Sequence, residues 1–163
     1  MPFQKVLVIG CPGSGKSTFA RVLHERTGLP LVYLDMLYWN ADKTTVSRDE
    51  FDRRLDAVLK TDRWIIDGNY NRTLEKRIRE CDAVFFLDYP LSVCLDGIRV
   101  RRNQPRPDMP WIETEDDPEF IDFVKAFATD SRPKILALLE KYPKKQITVF
   151  SSRKDADRYL QAK

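Results

Sequence analysis

The sequence predicts an α/β protein, a parallel sheet with helices packed on both faces. Three observations carry that expectation. Five strand-length apolar runs alternate with helix-like patterns, the rhythm of successive strand–helix units. The runs are near-continuously apolar rather than alternating, as in strands covered on both faces. A length of 163 residues suits one domain, and a domain of that size buries ~70% of its unfolded surface without disulfides or structural metal.

The strands fall at residues 5–9, 31–34, 63–67, 83–88 and 146–150, several of them rich in β-branched and aromatic side chains. The first helix, residues 16–27, carries Phe19, Ala20, Val22 and Leu23 and stops at Gly28. Ser47 opens Ser-Arg-Asp-Glu, a capping box with Glu50, and Phe51, Leu55, Val58 and Leu59 follow on one face. Residues 91–103, 132–142 and 154–161 complete the set, with Arg132 and Pro133 at the start of the middle one. Residues 103–118 break the rhythm, because Pro105, Pro107, Pro110 and Pro118 forbid a continuous helix. Arg99, Arg101, Arg102 and Arg106 lead into this stretch, and Glu113, Glu115, Asp116, Asp117 and Glu119 lead out of it. Long irregular connections in compact domains are usually functional, so residues 103–130 read as a lid segment within a single domain, 1–163.

Composition narrows the function. Lys plus Arg is 28 and Asp plus Glu is 25, a net charge of +3. That excess is too small to demand a polyanionic partner, so nucleic acid is disfavoured. No apolar run approaches the ~18 residues of a membrane span, and the first residues hold no signal-peptide core. The expectation is a cytoplasmic protein with no membrane partner, as monomer or homodimer. Cys11, Cys81 and Cys94 form no CxxC pair and read as reduced thiols. With His24 as the one histidine, a zinc site is excluded and His24 reads as structural.

The strongest motif is Gly10-Cys11-Pro12-Gly13-Ser14-Gly15-Lys16-Ser17, which fits G-x-x-x-x-G-K-[ST] at every fixed position. It follows an apolar strand and opens an amphipathic helix, the context the chemistry needs. A triphosphate requires many donors and little bulk. Glycines at 10, 13 and 15 let backbone N–H groups turn inward, and the helix N-terminus adds partial positive charge. Lys16 can bridge the β- and γ-phosphates, Ser17 can ligate Mg²⁺, and Thr18 extends the nucleotide-binding set. The glycine order is wrong for a dinucleotide fingerprint. No N-K-x-D or D-x-x-G element supports a GTPase.

Three strands end in aspartate: Asp35, Asp67 and Asp88. Ligands of parallel sheets gather at the carboxyl ends of strands. Asp67, followed by Gly68-Asn69-Tyr70, is the favoured metal-side acid. Asp88, ahead of Tyr89-Pro90, reads as a structural turn acid. Asp35, beside Tyr38 and Trp39, suits an acceptor hydroxyl on a ring or sugar. Arg101, Arg102 and Arg106 before the proline-rich stretch, and Arg132 beyond it, could place positive charge on a migrating phosphoryl group as a lid closes and excludes water.

Taken together, these residues resemble the P-loop kinases of the adenylate, shikimate and gluconate kinase type, and more closely the DNA topology modulation protein (FlaR-related) family. Residues 9–17, Phe19-Ala20-Arg21, Leu34-Asp35, residues 64–70, Phe86-Leu87-Asp88, Arg101-Arg102, Arg106-Pro107-Asp108-Met109 and residues 131–136 carry the likeness. The resemblance implies a three-layer P-loop fold with a five-stranded parallel sheet in the order 2-3-1-4-5. It implies that Asp67 is the metal-side acid and that Asp35 holds the acceptor. Arg101 and Arg102 would be the paired lid arginines, Arg132-Pro133 would reach back to substrate, and Ser151-Ser152-Arg153 would edge the adenine. Three departures stand out. Gly97 occupies the place where such kinases commonly stack an arginine on adenine, residues 111–117 differ from the lid sequence of the group, and the segment after Gly68 lacks the Phe-Pro-Arg of true adenylate kinases.

The sequence therefore points to an ATP- and Mg²⁺-dependent phosphotransferase acting on a small-molecule or nucleotide acceptor. Lys16, Asp35, Arg102, Arg106 and Arg132 are its candidate catalytic residues. Two alternatives stay open: an ATP-binding regulator of a macromolecular partner, and a kinase of nucleic-acid ends.

Overall fold

A computed structural model of the chain describes residues 3–112 and 117–162. Glu113, Glu115 and Asp116 of the acidic stretch lie outside them. Five strands, β1 (Lys5–Gly10), β2 (Leu31–Tyr33), β3 (Trp64–Asp67), β4 (Ala83–Leu87) and β5 (Gln146–Phe150), pair in parallel in the order β2-β3-β1-β4-β5. The sheet has the order that the resemblance implies, with helices on both sides. β3 and β4 are buried throughout, and β1 is buried after its first residue. The edges β2 and β5 are only partly covered, and Val149 is exposed. The both-faces-covered reading thus holds for the three inner strands and fails at the edges, which lack a neighbour on one side. Register decides where chemistry gathers. Val8 and Tyr33 both pair with Asp67, and Gly10 pairs with Leu87. The carboxyl ends of β1 to β4 therefore meet at one rim.

The helices are α1 (Lys16–Thr27), α2 (Leu34–Tyr38), α3 (Arg48–Leu59), α4 (Asn71–Glu80), α5 (Leu91–Arg101), α6 (Pro118–Lys141) and α7 (Arg153–Ala162). α1 packs on β1 and β3 and touches α7, while α6 packs on α4 and α5. Between α1, β4, β5 and α7, the rings of Phe19, Phe85, Phe150 and Tyr159 form one aromatic cluster, with centroids 5.2–6.5 Å apart. Local signals act as read. The Ser47 hydroxyl accepts the Glu50 N–H at 3.1 Å. Gly28 turns left-handed (φ 73°) and returns its N–H to His24. The His24 ring lies 2.5 Å from the Leu29 carbonyl, a turn-closing contact. Cys11, Cys81 and Cys94 are free, buried thiols.

Two helices depart from the sequence reading, and a third is longer than expected. α2 begins at Leu34, so the second strand ends one residue early. α4 was hidden by its charge. Only Leu74 and Ile78 supply an apolar stripe, and they share the buried face with Thr73 and Arg77. Arg77 is buried because its guanidinium serves the backbone, donating to the carbonyls of Gly68 (3.0 Å), Asn69 and Tyr70 (3.2 Å). Burial lowers its pKa to about 9. The helix expected from Arg132 instead starts at Pro118, capped by the Asp117 carboxylate on the Glu119 N–H at 3.0 Å. Pro133 sits inside α6, where one lost N–H bond is tolerated by a long packed helix. Residues 118–130 of the expected lid are therefore helical.

Candidate active site

β1 ends at Gly10 and α1 starts at Lys16, so the loop between them sits at the rim where the strands end. Gly13 (φ 86°) and Gly15 (φ 93°) take left-handed conformations that side chains resist. The loop is pressed onto α5: a Cβ on Gly13 would lie 2.0 Å from the Cys94 carbonyl, and one on Gly97 would lie 1.9 Å from the Gly13 carbonyl. Gly97 thus has no room for a side chain, which explains the missing arginine there.

Two side chains hold the loop in shape. Arg153 donates to the Ser14 carbonyl at 2.7 Å and the Gly13 carbonyl at 3.0 Å. Asn69 brackets Gly10, accepting its N–H at 3.0 Å and donating to its carbonyl at 2.6 Å. With loop carbonyls engaged from outside and no side-chain cap on α1, the first-turn N–H groups are the donors left for an anion.

The loop opens onto a cleft of about 1700 Å³ lined by Lys16, Ser17, Thr18, Asp35, Asp67, Arg101, Arg106 and Arg153, with Tyr38, Trp39 and Trp111 on its walls. Gly10, Cys11 and Ser14 form the buried body of the loop, whereas Pro12, Gly13 and Gly15 face the cleft. Arg101 places its guanidinium 6.0 Å from the Phe120 ring centroid. Two expected site residues stand elsewhere. Arg102 caps the C-terminus of α5 and is not part of the lining. Arg132 grips Asp88 with two nitrogens, at 2.9–3.0 Å; it ties α6 to the end of β4 instead of reaching the cleft.

Asp67 is 6% exposed, and its Oδ1 has no hydrogen-bond partner. Burial, aided by the Asp108 and Asp35 charges and opposed by Lys16 and Arg106, pushes its carboxyl up to about 7. An orphaned carboxylate oxygen sharing the cleft with Lys16 and Ser17 is hard-oxygen chemistry that fits Mg²⁺. Among the described residues no cluster of three or more His, Cys, Asp or Glu could hold an ion.

Asp35, at the start of α2, accepts the Tyr70 hydroxyl at 2.5 Å. Tyr70 adopts φ 38°, a conformation costly for a non-glycine residue. It is held there by Arg77 on its carbonyl and by Phe51 stacked at 5.2 Å. Burial, then the Asp35 carboxylate, push the Tyr70 phenol well above its ordinary range, so it remains a donor. Sequence reasoning gave no role to Asn69, Tyr70 or Asp108. The first two stood inside the quoted Asp-Gly-Asn-Tyr run, immediately after a strand end, which is the signal that could have marked them.

The geometry has clear counterparts among solved structures. The shikimate kinase of Acinetobacter baumannii, in complex with shikimate, superposes with a TM-score of 0.66 at 15% identity, covering 99% of this chain and 90% of that one. The fold is that of the small P-loop kinases. A gluconokinase from Sinorhizobium meliloti 1021 superposes at 0.57 with 16% identity, covering 98% of this chain and 90% of the other. In sequence, the adenylate kinase of Thermotoga maritima is 28% identical over 106 residues, 61% of this chain and 47% of that protein. The chain spans about half the length of the curated relatives it matches. No protein-family model matches it. Its relatives and structural neighbours are kinases of the adenylate and shikimate type. Among the described residues no helix is long and apolar enough to cross a membrane.

Proposed function

We propose that the protein is an ATP- and Mg²⁺-dependent phosphotransferase that moves the γ-phosphoryl group onto a small-molecule or nucleotide acceptor. The observation that carries this reading is the phosphate-loop motif, held by Arg153 and Asn69, opening on one cleft that also contains Asp67 and Asp35. Lys16 and the first-turn N–H groups of α1 bind and orient the phosphates. Ser17 and Asp67 would hold the Mg²⁺. When bound, the cation supplies neutralising charge on the polyphosphate. Asp35, fixed by the Tyr70 hydroxyl, takes the acceptor hydroxyl proton as the new oxygen–phosphorus bond forms and the bond to the departing ADP oxygen breaks. Arg101, at the end of α5, and Arg106, from the segment we read as the lid, supply positive charge. Arg153 positions the phosphate loop at the adenine end.

Adenylate, shikimate and gluconate, named by the relatives and neighbours, belong in the acceptor panel. The finer likeness to DNA topology modulation proteins belongs to this reading and is supported by the run Trp64 to Tyr70, which supplies Asp67, Asn69 and Tyr70 to the site. The test is ADP formation by wild type and Lys16→Ala across an acceptor panel. Wild type turns over and the variant loses at least ~100-fold, an expected cost for a phosphate-binding lysine whose charge acts mainly in the transition state. Undiminished turnover in the variant refutes the assignment.

A further inference from the structure

Three aspartates gather at the acceptor end of the cleft. Asp35, Asp67 and Asp108 all line it. Asp108 comes from the proline-rich segment, between Pro107 and Met109. It is 7% exposed, and its Oδ1 has no hydrogen-bond partner. Arg106 faces that oxygen at 3.6 Å, an ion pair too long to be a hydrogen bond. The Asp108 charge is felt by both Asp67 and Tyr33, so the segment delivers it to the mouth of β2 and β3.

The cations near this end are engaged by the protein or lie on the rim. Arg106 is turned to Asp108, the Arg21 charge bears on the Tyr33 phenol, and Lys43 is an exposed residue on the rim. Lys16 belongs to the phosphate loop. A buried carboxylate oxygen with no donor is costly unless a ligand supplies one. A carboxylate or phosphate on the acceptor would add repulsion to that cost; a hydroxyl would remove it. The walls match. Trp39 and Trp111 meet edge to face at 5.1 Å, and Tyr38 lies 5.3 Å from Trp39, an apolar surface for the flat face of a ring.

We propose that the acceptor is an uncharged polyhydroxylated ring compound, and that Asp108 is a specificity-determining residue that accepts a hydrogen bond from one of its hydroxyls. This rests on the kinase reading above and narrows it. One hydroxyl is phosphorylated, losing its proton to Asp35 as its oxygen bonds phosphorus and ADP departs. A neighbouring hydroxyl donates to Asp108. The hydroxyl-bearing ring could belong to a free sugar or to the ribose of a nucleoside.

The experiment takes the full chain with saturating MgATP. It measures ADP formation and Trp fluorescence against neutral pentoses and hexoses, against nucleosides, and against the anionic AMP, shikimate and gluconate. Trp39 and Trp111 line the cleft while Trp64 is fully buried, so acceptor binding shows in the emission without relying on turnover. The expected result is binding and turnover of a neutral compound, the sugar or nucleoside arm naming its source, with the anions at least ~10-fold poorer. Asp108→Asn lowers kcat/KM for the neutral acceptor by about 10- to 100-fold, mostly through KM, the value of a hydrogen bond to a charged group, and narrows the gap to the anions. Asp108→Glu restores part of the discrimination, which a merely structural role would not. If MgATP binds but only the anionic acceptors bind or react, or if no neutral compound does either, this inference falls and the kinase reading stands. Equal selectivity in Asp108→Asn and wild type likewise overturns it. If MgATP does not bind at all, both fall.

Discussion

Replacing Asp67 by Asn should stabilise the nucleotide-free protein at neutral pH while removing a ligand of the metal-bound state. The Asp67 carboxyl rises from an ordinary 3.8 to about 7, chiefly through burial. A carboxyl raised in the folded state contributes stability that is fully present below its unfolded pKa and is lost as pH climbs through the folded one. The loss therefore runs from about pH 4 to about pH 7. Three pH units at about 1.36 kcal/mol each give a cost of about 4 kcal/mol above pH 7. The side chain is nearly inaccessible, so solvent screening removes little of it. Asn carries no titrating group, and its amide adds a pH-independent cost of about 1–2 kcal/mol if its N–H finds no acceptor. The slope is thus the clean observable. Urea unfolding of metal-free, nucleotide-free wild type and Asp67→Asn at a series of pH values should show the difference in stability growing by about 3 kcal/mol in the variant's favour between pH 5 and pH 8. Parallel stability curves would mean that Asp67 does not carry a strained buried charge and that its orphaned oxygen does not seek a cation.

Other outcomes follow from the same contacts. Arg153→Ala removes two hydrogen bonds to the Gly13 and Ser14 carbonyls, and should weaken MgATP binding by about 10-fold, the worth of ~1.5 kcal/mol, as read by calorimetry. Gly97→Ala places a methyl 1.9 Å from the Gly13 carbonyl and should cost about 1–3 kcal/mol of stability together with nucleotide affinity, measured by urea unfolding and titration. Tyr70→Phe frees Asp35 from its 2.5 Å donor and should lower kcat by about 10-fold with little change in the KM for ATP, a split that steady-state kinetics reads directly.

Much of the fold was written in short-range signals. The inner strands announced themselves because β3, β4 and nearly all of β1 are buried, and the phosphate loop because its glycine spacing is a steric necessity. What stayed hidden depends on distant partners. α4 shows few apolar residues because Arg77, a charged side chain, fills its buried face and satisfies three carbonyls. The start of α6 was misplaced because Pro133 looks like a boundary in sequence and is an interior residue in the fold. Arg132 read as a substrate contact, and its bond to Asp88 becomes visible only when α6 crosses the end of β4. The chemical role of Asp108 depends on the path of the proline-rich segment back over the rim, which no local pattern encodes.

A glycine-lined loop at the end of β1 should grip a nucleotide's polyphosphate. Isothermal titration calorimetry of the wild-type chain with ATP in the presence of Mg²⁺ reads that contact. A saturable one-site isotherm that Lys16→Ala abolishes is expected. A wild-type protein that gives no heat with ATP or GTP, or a variant that binds as tightly as wild type, would refute it.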